Sequence, residues 1–165
     1  MTLRFPGVTP PPLPGLLQDE EDGTKSMKND VFISYAGEDA GAAEIIVAAL
    51  EAAKIHCFMA PRDIPPGMER AAAIVDAICE TRLFLLLHSA HANRSLQMAR
   101  ELQLVHDRHI GVFAVRLDDS PAAPNIDFFL RRQNVFQAVP LASRLAALVD
   151  AVEARLGSQS QRRPA

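Results

Sequence analysis

The sequence alternates between short apolar runs and amphipathic stretches, and this alternation restricts the possible fold more than any other feature. Five runs have the length and apolar character of buried strands, at residues 30–36, 55–60, 82–89, 111–117 and 134–139. Because helical stretches separate most of them, we expect parallel strands in a sheet that helices cover on both faces. With right-handed crossovers, the sequence predicts a flavodoxin-like α/β fold with strand order 2-1-3-4-5.

The stretches between these runs repeat apolar residues at helical spacing. Helices are predicted at residues 41–54, 69–80 and 93–109, and an amphipathic helix at 141–157 ends at Gly157. Residues 118–133 are predicted to form a loop with one helical turn near Phe128. The inward faces are predicted to carry Ile45, Ile46, Ala49, Leu50 and Ala53 in the first helix, Ala71, Ile74, Val75 and Ile78 in the second, and Met98, Leu102 and Val105 in the third.

The two ends of the chain differ from its middle in composition. Residues 1–28 hold five of the twelve prolines and then an acidic cluster, and they show no sustained period. We interpret residues 1–28 as a disordered arm, residues 29–157 as one folded domain and residues 158–165 as a disordered tail. The 165 residues suit a single domain of average size with such ends.

Charge and cysteine content limit the partners and the compartment. Seventeen basic and 20 acidic residues give a net charge of −3, which argues against nucleic acid or an anionic membrane as a partner. Two scattered cysteines make no disulfide framework, and no apolar run reaches membrane-spanning length. The N-terminus lacks the pattern of a signal peptide, so a cytoplasmic location is expected.

Several familiar kinds of active site are excluded by the motifs. The sequence lacks the glycine-rich dinucleotide fingerprint, the P-loop and the G-x-S-x-G nucleophile turn. A phosphoacceptor receiver domain needs an aspartate after strand three and a lysine after strand five, where this chain reads "LLLHSA" and "FQAVP". The histidine pairs in "HSAH" and "HDRH" lack a matching carboxylate or cysteine, so we predict no metal site and expect solvated or helix-end histidines.

Three segments follow the first three strands and are expected to form one mouth at the carboxyl edge of the sheet. They are "YAGEDA", "MAPRDIPPG" and "HSAHAN". The second, residues 59–67, contains three prolines that fix φ angles and a glycine, Gly67, that permits a sharp turn into the next helix.

The stretch "VFISYAGEDAGAAEIIVAALEAAKIHCFMAPRDIPPG" resembles the first half of a bacterial TIR (Toll/interleukin-1 receptor) domain. The resemblance continues through "RLFLLLHSAHANRSLQMARELQLV" to "GVFAVRL", and so it covers nearly the whole predicted domain. It identifies residues 59–67 with the BB loop of the family, through Pro61, Arg62, Asp63, Ile64, Pro65, Pro66 and Gly67. The type it most resembles is the NAD-cleaving, Thoeris-like protein of bacterial antiphage defence.

The resemblance implies an activity and a catalytic residue. Many bacterial TIR domains cleave the nicotinamide–ribose bond of NAD+ with a glutamate on the helix after strand three, and Glu101 stands at that place in this chain. Helical spacing puts Glu101 one step from the inward Leu102, stacked with Gln97 and Arg94 at the border between core and solvent. NAD+ is then the substrate, no cofactor is implied, and the product can be ADP-ribose, a cyclic isomer or a conjugate.

Further residues are expected to bind the substrate: Ser34, Tyr35, Ala36, Gly37, Asp39, Arg62, Ser89 and Gln97. Arg62 suits the pyrophosphate, and a salt bridge with Asp63 or Asp39 is an equal alternative. Ser89 suits a ribose or caps the next element. The family often has Trp where this chain has Phe58 and Gln97, and Ser where it has Ala36. Gln97 therefore removes a possible stacking surface for a base.

Two classes of function stay open on the sequence. One is the NAD+-cleaving enzyme, whose nucleotide product acts on a separate effector protein. The other is an interaction module that signals by TIR–TIR contact without chemistry, or a host-directed virulence factor. In either class the rigid residues 59–67 suit self-association, and head-to-tail contact of this kind can build open filaments.

Overall fold

The computed structural model describes residues 28–131, 133 and 135–161, and within them five strands form one parallel sheet. The strands are β1 (Asn29–Ser34), β2 (Cys57–Phe58), β3 (Thr81–His88), β4 (Gly111–Arg116) and β5 (Val135–Gln137). Their order is β2-β1-β3-β4-β5, which confirms the predicted topology. Since every pair is parallel, the carboxyl ends of the strands share one edge of the sheet.

Helices cover both faces of the sheet. They are α1 (Ala40–Ala52), α2 (Arg70–Cys79), α3 (Leu96–Asp107), α4 (Pro124–Leu130) and α5 (Leu141–Gln161). Alternate side chains of β3 separate two cores: Leu83, Leu85 and Leu87 pack with α1 and α5, whereas Phe84 and Leu86 pack with α2, α3 and α4. The continuous apolar run of β3 therefore reflects burial on both faces, as predicted.

Two predicted helix faces are rotated in the structure. Ile45 and Val75, both expected to point inward, are 50% and 41% exposed. The buried residues are Ala43, Ile46, Val47 and Leu50 in α1, and Ala73, Ile74, Ala77 and Ile78 in α2. Alanine-rich helices are apolar on most sides, so spacing alone does not fix which side faces the sheet. The inward face of α3, with Met98, Leu102 and Val105, is as predicted.

Two predicted element bounds are wrong. The segment predicted as a loop with one turn contains the seven-residue helix α4, whose first residue is Pro124, a position where the fixed φ of proline suits a helix. Helix α5 does not stop at Gly157 but continues to Gln161, so residues 158–161 are not a disordered tail. Arg82 on β3 holds this last turn by donating to the Leu156 carbonyl at 2.9 Å and to the Ser160 hydroxyl at 2.8 Å.

Apart from Lys28, the predicted arm lies outside the described residues, as does the end of the tail beyond residue 161. In the part of the chain that the structure covers, no helix combines the length and the apolar character needed to cross a membrane.

Candidate functional site

The last residue of β1 contacts the helix layer that contains α3. Alternation along β1 puts Phe32 and Ser34 on the α2–α3 side of the sheet, and Tyr35 packs with the opposite core. Ser34 is only 1% exposed, and its hydroxyl donates to Glu101 Oε2 at 2.6 Å. The predicted catalytic residue and a predicted substrate-binding residue are therefore in direct contact.

Glu101 is buried, with 7% of its surface exposed, so its predicted place at the border of the core is wrong. Its second oxygen, Oε1, accepts from Gln97 Nε2 at 2.9 Å one turn earlier, as the predicted stacking requires. Arg94 does not join this stack. The Ser95 hydroxyl caps α3 by accepting from the Met98 amide at 3.2 Å, which leaves Arg94 in a separate 3-10 turn.

The surroundings of Glu101 affect its ionisation. Burial raises the pKa of this carboxyl group, and hydrogen bonds from Ser34 and Gln97 and the charge of Arg70 oppose the rise. Two donors, one on each oxygen, fix the plane of the carboxylate. The group is thus oriented and poorly hydrated, two properties that strengthen its interaction with a nearby positive charge.

The raised pKa of Glu101 predicts a pH dependence of folding. Folded Glu101 keeps its proton at pH values where the unfolded side chain has lost it, so the folded state binds more protons there. The stabilisation is complete below the unfolded pKa and is lost as pH rises through the folded pKa. We expect the unfolding free energy of the wild-type chain to fall with rising pH relative to Glu101→Gln, measured by urea unfolding across the acidic range. A difference that stays constant with pH would contradict this effect.

A groove of about 460 Å³ lies between α2 and α3 and includes Glu101 in its wall. Its lining residues are Glu69, Arg70, Ala71, Ile74, Val75, Ile78, Gln97, Arg100, Glu101 and Leu104. The sequence predictions missed Arg70 and Arg100. Helical spacing could have found them, because Arg70 precedes Ile74 by four residues, as Arg100 precedes Leu104.

Residues 59–67 form a folded loop whose tip faces solvent. The Tyr35 hydroxyl donates to the Ala60 carbonyl, and Asp63 closes a turn by donating its amide to the Met59 carbonyl at 3.0 Å. The Asp63 carboxylate in turn accepts from the Met59 amide at 2.9 Å. Gly67 has φ +79°, the left-handed conformation that its predicted turn requires. Internal hydrogen bonds thus hold the base of the loop, whereas Pro65, Pro66 and Gly67 are exposed.

Arg62 does not lie with Glu101. Its guanidinium group forms ion pairs with Glu51 and Asp63, each at 2.7 Å, on the α1 side of the loop. It lines a separate pocket there with Glu44 and Glu51. Arg62 therefore forms the salt bridge that was the alternative expectation. Its partners are Asp63, as expected, and Glu51 rather than Asp39.

Ser89 and Asp39 contact each other at the same edge of the sheet. The Ser89 hydroxyl donates to the Asp39 carboxylate and accepts from the Ala92 amide at 3.1 Å, so it caps the turn that follows β3. Because Ser89 is only 1% exposed, its hydroxyl is not accessible at the surface for binding a ribose. In the same region Ala36 is buried and Gly37 is exposed.

His88 corrects the expectation of solvated histidines. It is fully buried at the end of β3, and its Nε2 lies 2.9 Å from Asn93 Oδ1. Since that oxygen also accepts from the Ala123 amide at 2.8 Å, Nε2 of His88 carries the proton. His88 thereby ties the end of β3 to the segment before α4.

Comparison with known proteins identifies the family of this chain and several structures with a similar fold. Residues 31–150 match the family model described as the TIR domain, and no curated protein matches the chain. The TIR domain of the Toll-related receptor TRR-2 from Hydra magnipapillata is 23% identical, with a TM-score of 0.62 over 76% of this chain and 98% of that one.

Two further structures extend this likeness. A metazoan TIR-STING receptor from C. gigas, solved with 2',3'-cGAMP, is 22% identical, with a TM-score of 0.64 over 78% of this chain and 40% of that one. The TIR domains of the activated Roq1 resistosome are 24% identical, with a TM-score of 0.51 over 82% and 85% of the two chains. Because all three structures are less than 25% identical to this chain, the likeness shows the fold alone.

Proposed function

The chain belongs to the TIR domain family, and on that premise we propose that it cleaves the bond between nicotinamide and ribose in NAD+. TIR domains include NAD-cleaving enzymes as well as scaffolds, so membership alone leaves both functions open. The observation that carries the proposal is Glu101. Its carboxyl group is buried, has one donor on each oxygen and lies in the wall of an open groove, and burial raises its pKa, a combination that is typical of functional sites.

The reaction requires charge stabilisation more than proton transfer. The bond between C1′ of the ribose and the ring nitrogen breaks, and both electrons go to that nitrogen, so nicotinamide leaves as a neutral base. Positive charge then develops on C1′ and the ring oxygen, as in glycoside hydrolysis. Attack by water at C1′, followed by loss of one proton, gives ADP-ribose. No external acid, oxidant or metal is needed for this balance.

Glu101 suits that charge distribution. Each carboxylate oxygen accepts one hydrogen bond within the protein and keeps a second acceptor site for the ribose hydroxyls. Because the carboxylate is held in place and largely removed from water, its attraction for the oxocarbenium ion is stronger than at the surface. Ser34 and Gln97 act as positioning residues in this scheme. Gln97 orients the carboxylate from the place where other family members often have a tryptophan.

The fate of the ribose determines the product. Attack by a group of the same molecule gives a cyclic isomer, and attack by a second small molecule gives a conjugate. The resemblance to antiphage TIR proteins extends the proposal to a nucleotide signal that a separate effector protein detects. The proposed location is the cytoplasm, where NAD+ is available.

The bond that breaks can be identified from the products. Purified chain is incubated with NAD+ and the mixture is separated by chromatography. We expect nicotinamide together with an equal amount of ADP-ribose or its cyclic isomer. Nicotinamide mononucleotide and AMP in their place would show cleavage at the diphosphate and would overturn the proposal.

Removing the Ser34 hydroxyl should change both the rate and its pH dependence. The hydrogen bond from Ser34 opposes the rise in the pKa of Glu101, so Ser34→Ala should move the acidic limb of the kcat/KM profile to higher pH. Loss of orientation should also lower kcat by about tenfold. Ser158→Ala, which removes an exposed hydroxyl from α5, is the control. A lower rate with an unmoved limb would show that the Ser34 hydroxyl does not affect the ionisation of Glu101.

Self-association is the second part of the proposal. TIR domains assemble with one another, as in the Roq1 resistosome and the RPS4–RRS1 heterodimer. In this chain the exposed tip of residues 59–67 contains Pro65 and Pro66 and lies three residues before α2, which lines the groove with Glu101. Contact at the tip can therefore alter the groove. A second subunit is the expected partner.

A further inference from the structure

The groove between α2 and α3 combines two kinds of surface. Four aliphatic side chains, Ile74, Val75, Ile78 and Leu104, form its wall. Arg70 and Arg100 lie on its exposed parts, and Glu101 closes it on the sheet side. A volume of about 460 Å³ is within the range of small-molecule sites.

Neither Arg70 nor Arg100 has a carboxylate partner among the described residues, and both line the same groove. Among the described residues, ion pairs engage Arg62, Arg82 and Arg131 but neither Arg70 nor Arg100. Arg70 is nonetheless close to the catalytic carboxylate. Burial raises the pKa of Glu101, and the charge of Arg70 is among the effects that oppose this rise. The groove also includes the carboxylates of Glu69 and Glu101, so its anion-binding capacity depends on the two exposed guanidinium groups, which no ion pair engages.

We propose that Arg70 and Arg100 bind the diphosphate of a dinucleotide and so determine the substrate class of the groove. The inference rests on the proposed function for the identity of that dinucleotide as NAD+. A planar guanidinium fork donates two parallel hydrogen bonds to phosphate oxygens, and two forks match the charge of a diphosphate. The aliphatic side chains that line the same groove leave an apolar surface for a nucleobase.

This assignment replaces one expectation from the sequence and agrees with another. Arg62, the residue first expected at the pyrophosphate, is held by Glu51 and Asp63 on the other side of the loop. Gln97 offers no aromatic face for stacking. A nucleobase can instead pack against the aliphatic side chains of Ile74 and Leu104. Charge on the phosphates, rather than base stacking, then supplies most of the binding energy.

Calorimetric titration tests the proposal without requiring catalysis. The probes are ADP-ribose, which carries the diphosphate, and adenosine, which does not. We expect Arg70→Gln and Arg100→Gln each to weaken ADP-ribose binding by about tenfold, since each removes one charge-assisted contact. Adenosine binding should stay unchanged. Arg108→Gln is the matched control, because it removes one exposed charge just beyond α3 and outside the groove.

Each outcome decides for or against the arginine pair. Weaker ADP-ribose binding in both groove variants, with Arg108→Gln at the wild-type value, supports it. Unchanged ADP-ribose binding in either variant overturns it, as does equal loss of adenosine and ADP-ribose or failure of the wild-type chain to bind ADP-ribose. Nicotinamide release is measured on the same samples. A chain that cleaves NAD+ with unaltered phosphate binding in the variants refutes the arginine pair alone, whereas a chain that binds ADP-ribose through the pair and leaves NAD+ intact refutes only the proposed reaction.

Discussion

Replacing Glu101 by glutamine should reduce nicotinamide release from NAD+ by about a thousandfold or more, because the substitution removes the charge that faces the developing oxocarbenium ion. The shape of the side chain is kept, and its carbonyl oxygen can still accept from Ser34 or Gln97. Substrate binding through other contacts should therefore persist. Initial rates at saturating NAD+ measure the effect on kcat.

The same variant separates catalysis from stability. A neutral amide avoids the cost of burying a carboxylate, so Glu101→Gln should be at least as stable as the wild-type chain at neutral pH. Glu153→Gln, which neutralises an exposed carboxylate on α5, should keep both full activity and the wild-type thermal midpoint. Cooperative unfolding that disappears in Glu101→Gln would make Glu101 a structural residue, and normal turnover would remove it from the mechanism.

Turnover per subunit should depend on protein concentration. If the tip of residues 59–67 packs against a second subunit, activity per subunit rises steeply with increasing protein concentration and then levels off. The double substitution Pro66→Tyr and Gly67→Asn should flatten this rise and keep activity near the dilute value. Tyrosine changes the contact surface, and asparagine tolerates the positive φ of position 67, so the loop itself should still form.

A bulky substitution elsewhere controls for the loop variant. Ala146 is exposed on α5, away from the loop, and Ala146→Tyr should leave the concentration dependence as in the wild-type chain. Sedimentation of the same samples shows whether activity and assembly change together. Constant turnover per subunit at every dilution, with the loop variant equal to the wild-type chain, would restrict the role of the loop to its own subunit.

The central strand β3 was predictable because burial on both faces leaves an unambiguous apolar run. "RLFLLLHS" has no polar residue between Leu83 and Leu87, and only a central parallel strand uses such a run in full. The orientation of α1 was not predictable in the same way. Ile45 and Val47 are equally apolar, and the choice of Val47 as the buried residue depends on how the helix meets β1 and β3.

At the candidate site, the sequence indicates candidate residues but not the contacts between distant ones. The resemblance and the four-residue spacing identify Glu101 and Gln97, and the structure adds the hydrogen bond between them. The contact between Ser34 and Glu101 spans 67 residues, so no local pattern could indicate it. Arg62 and Arg70 lie close in sequence, yet the loop directs Arg62 toward Glu51 on one side and Arg70 into the groove on the other.

The most direct test of this account is the release of nicotinamide by the wild-type chain at a protein concentration where sedimentation shows it assembled. Samples of the chain with NAD+ are taken over time and nicotinamide is quantified by chromatography, with Glu101→Gln measured in parallel. We expect steady release by the wild-type chain and none above background by the variant. NAD+ that stays intact in the presence of the assembled wild-type chain would contradict the account and would favour a TIR scaffold without chemistry.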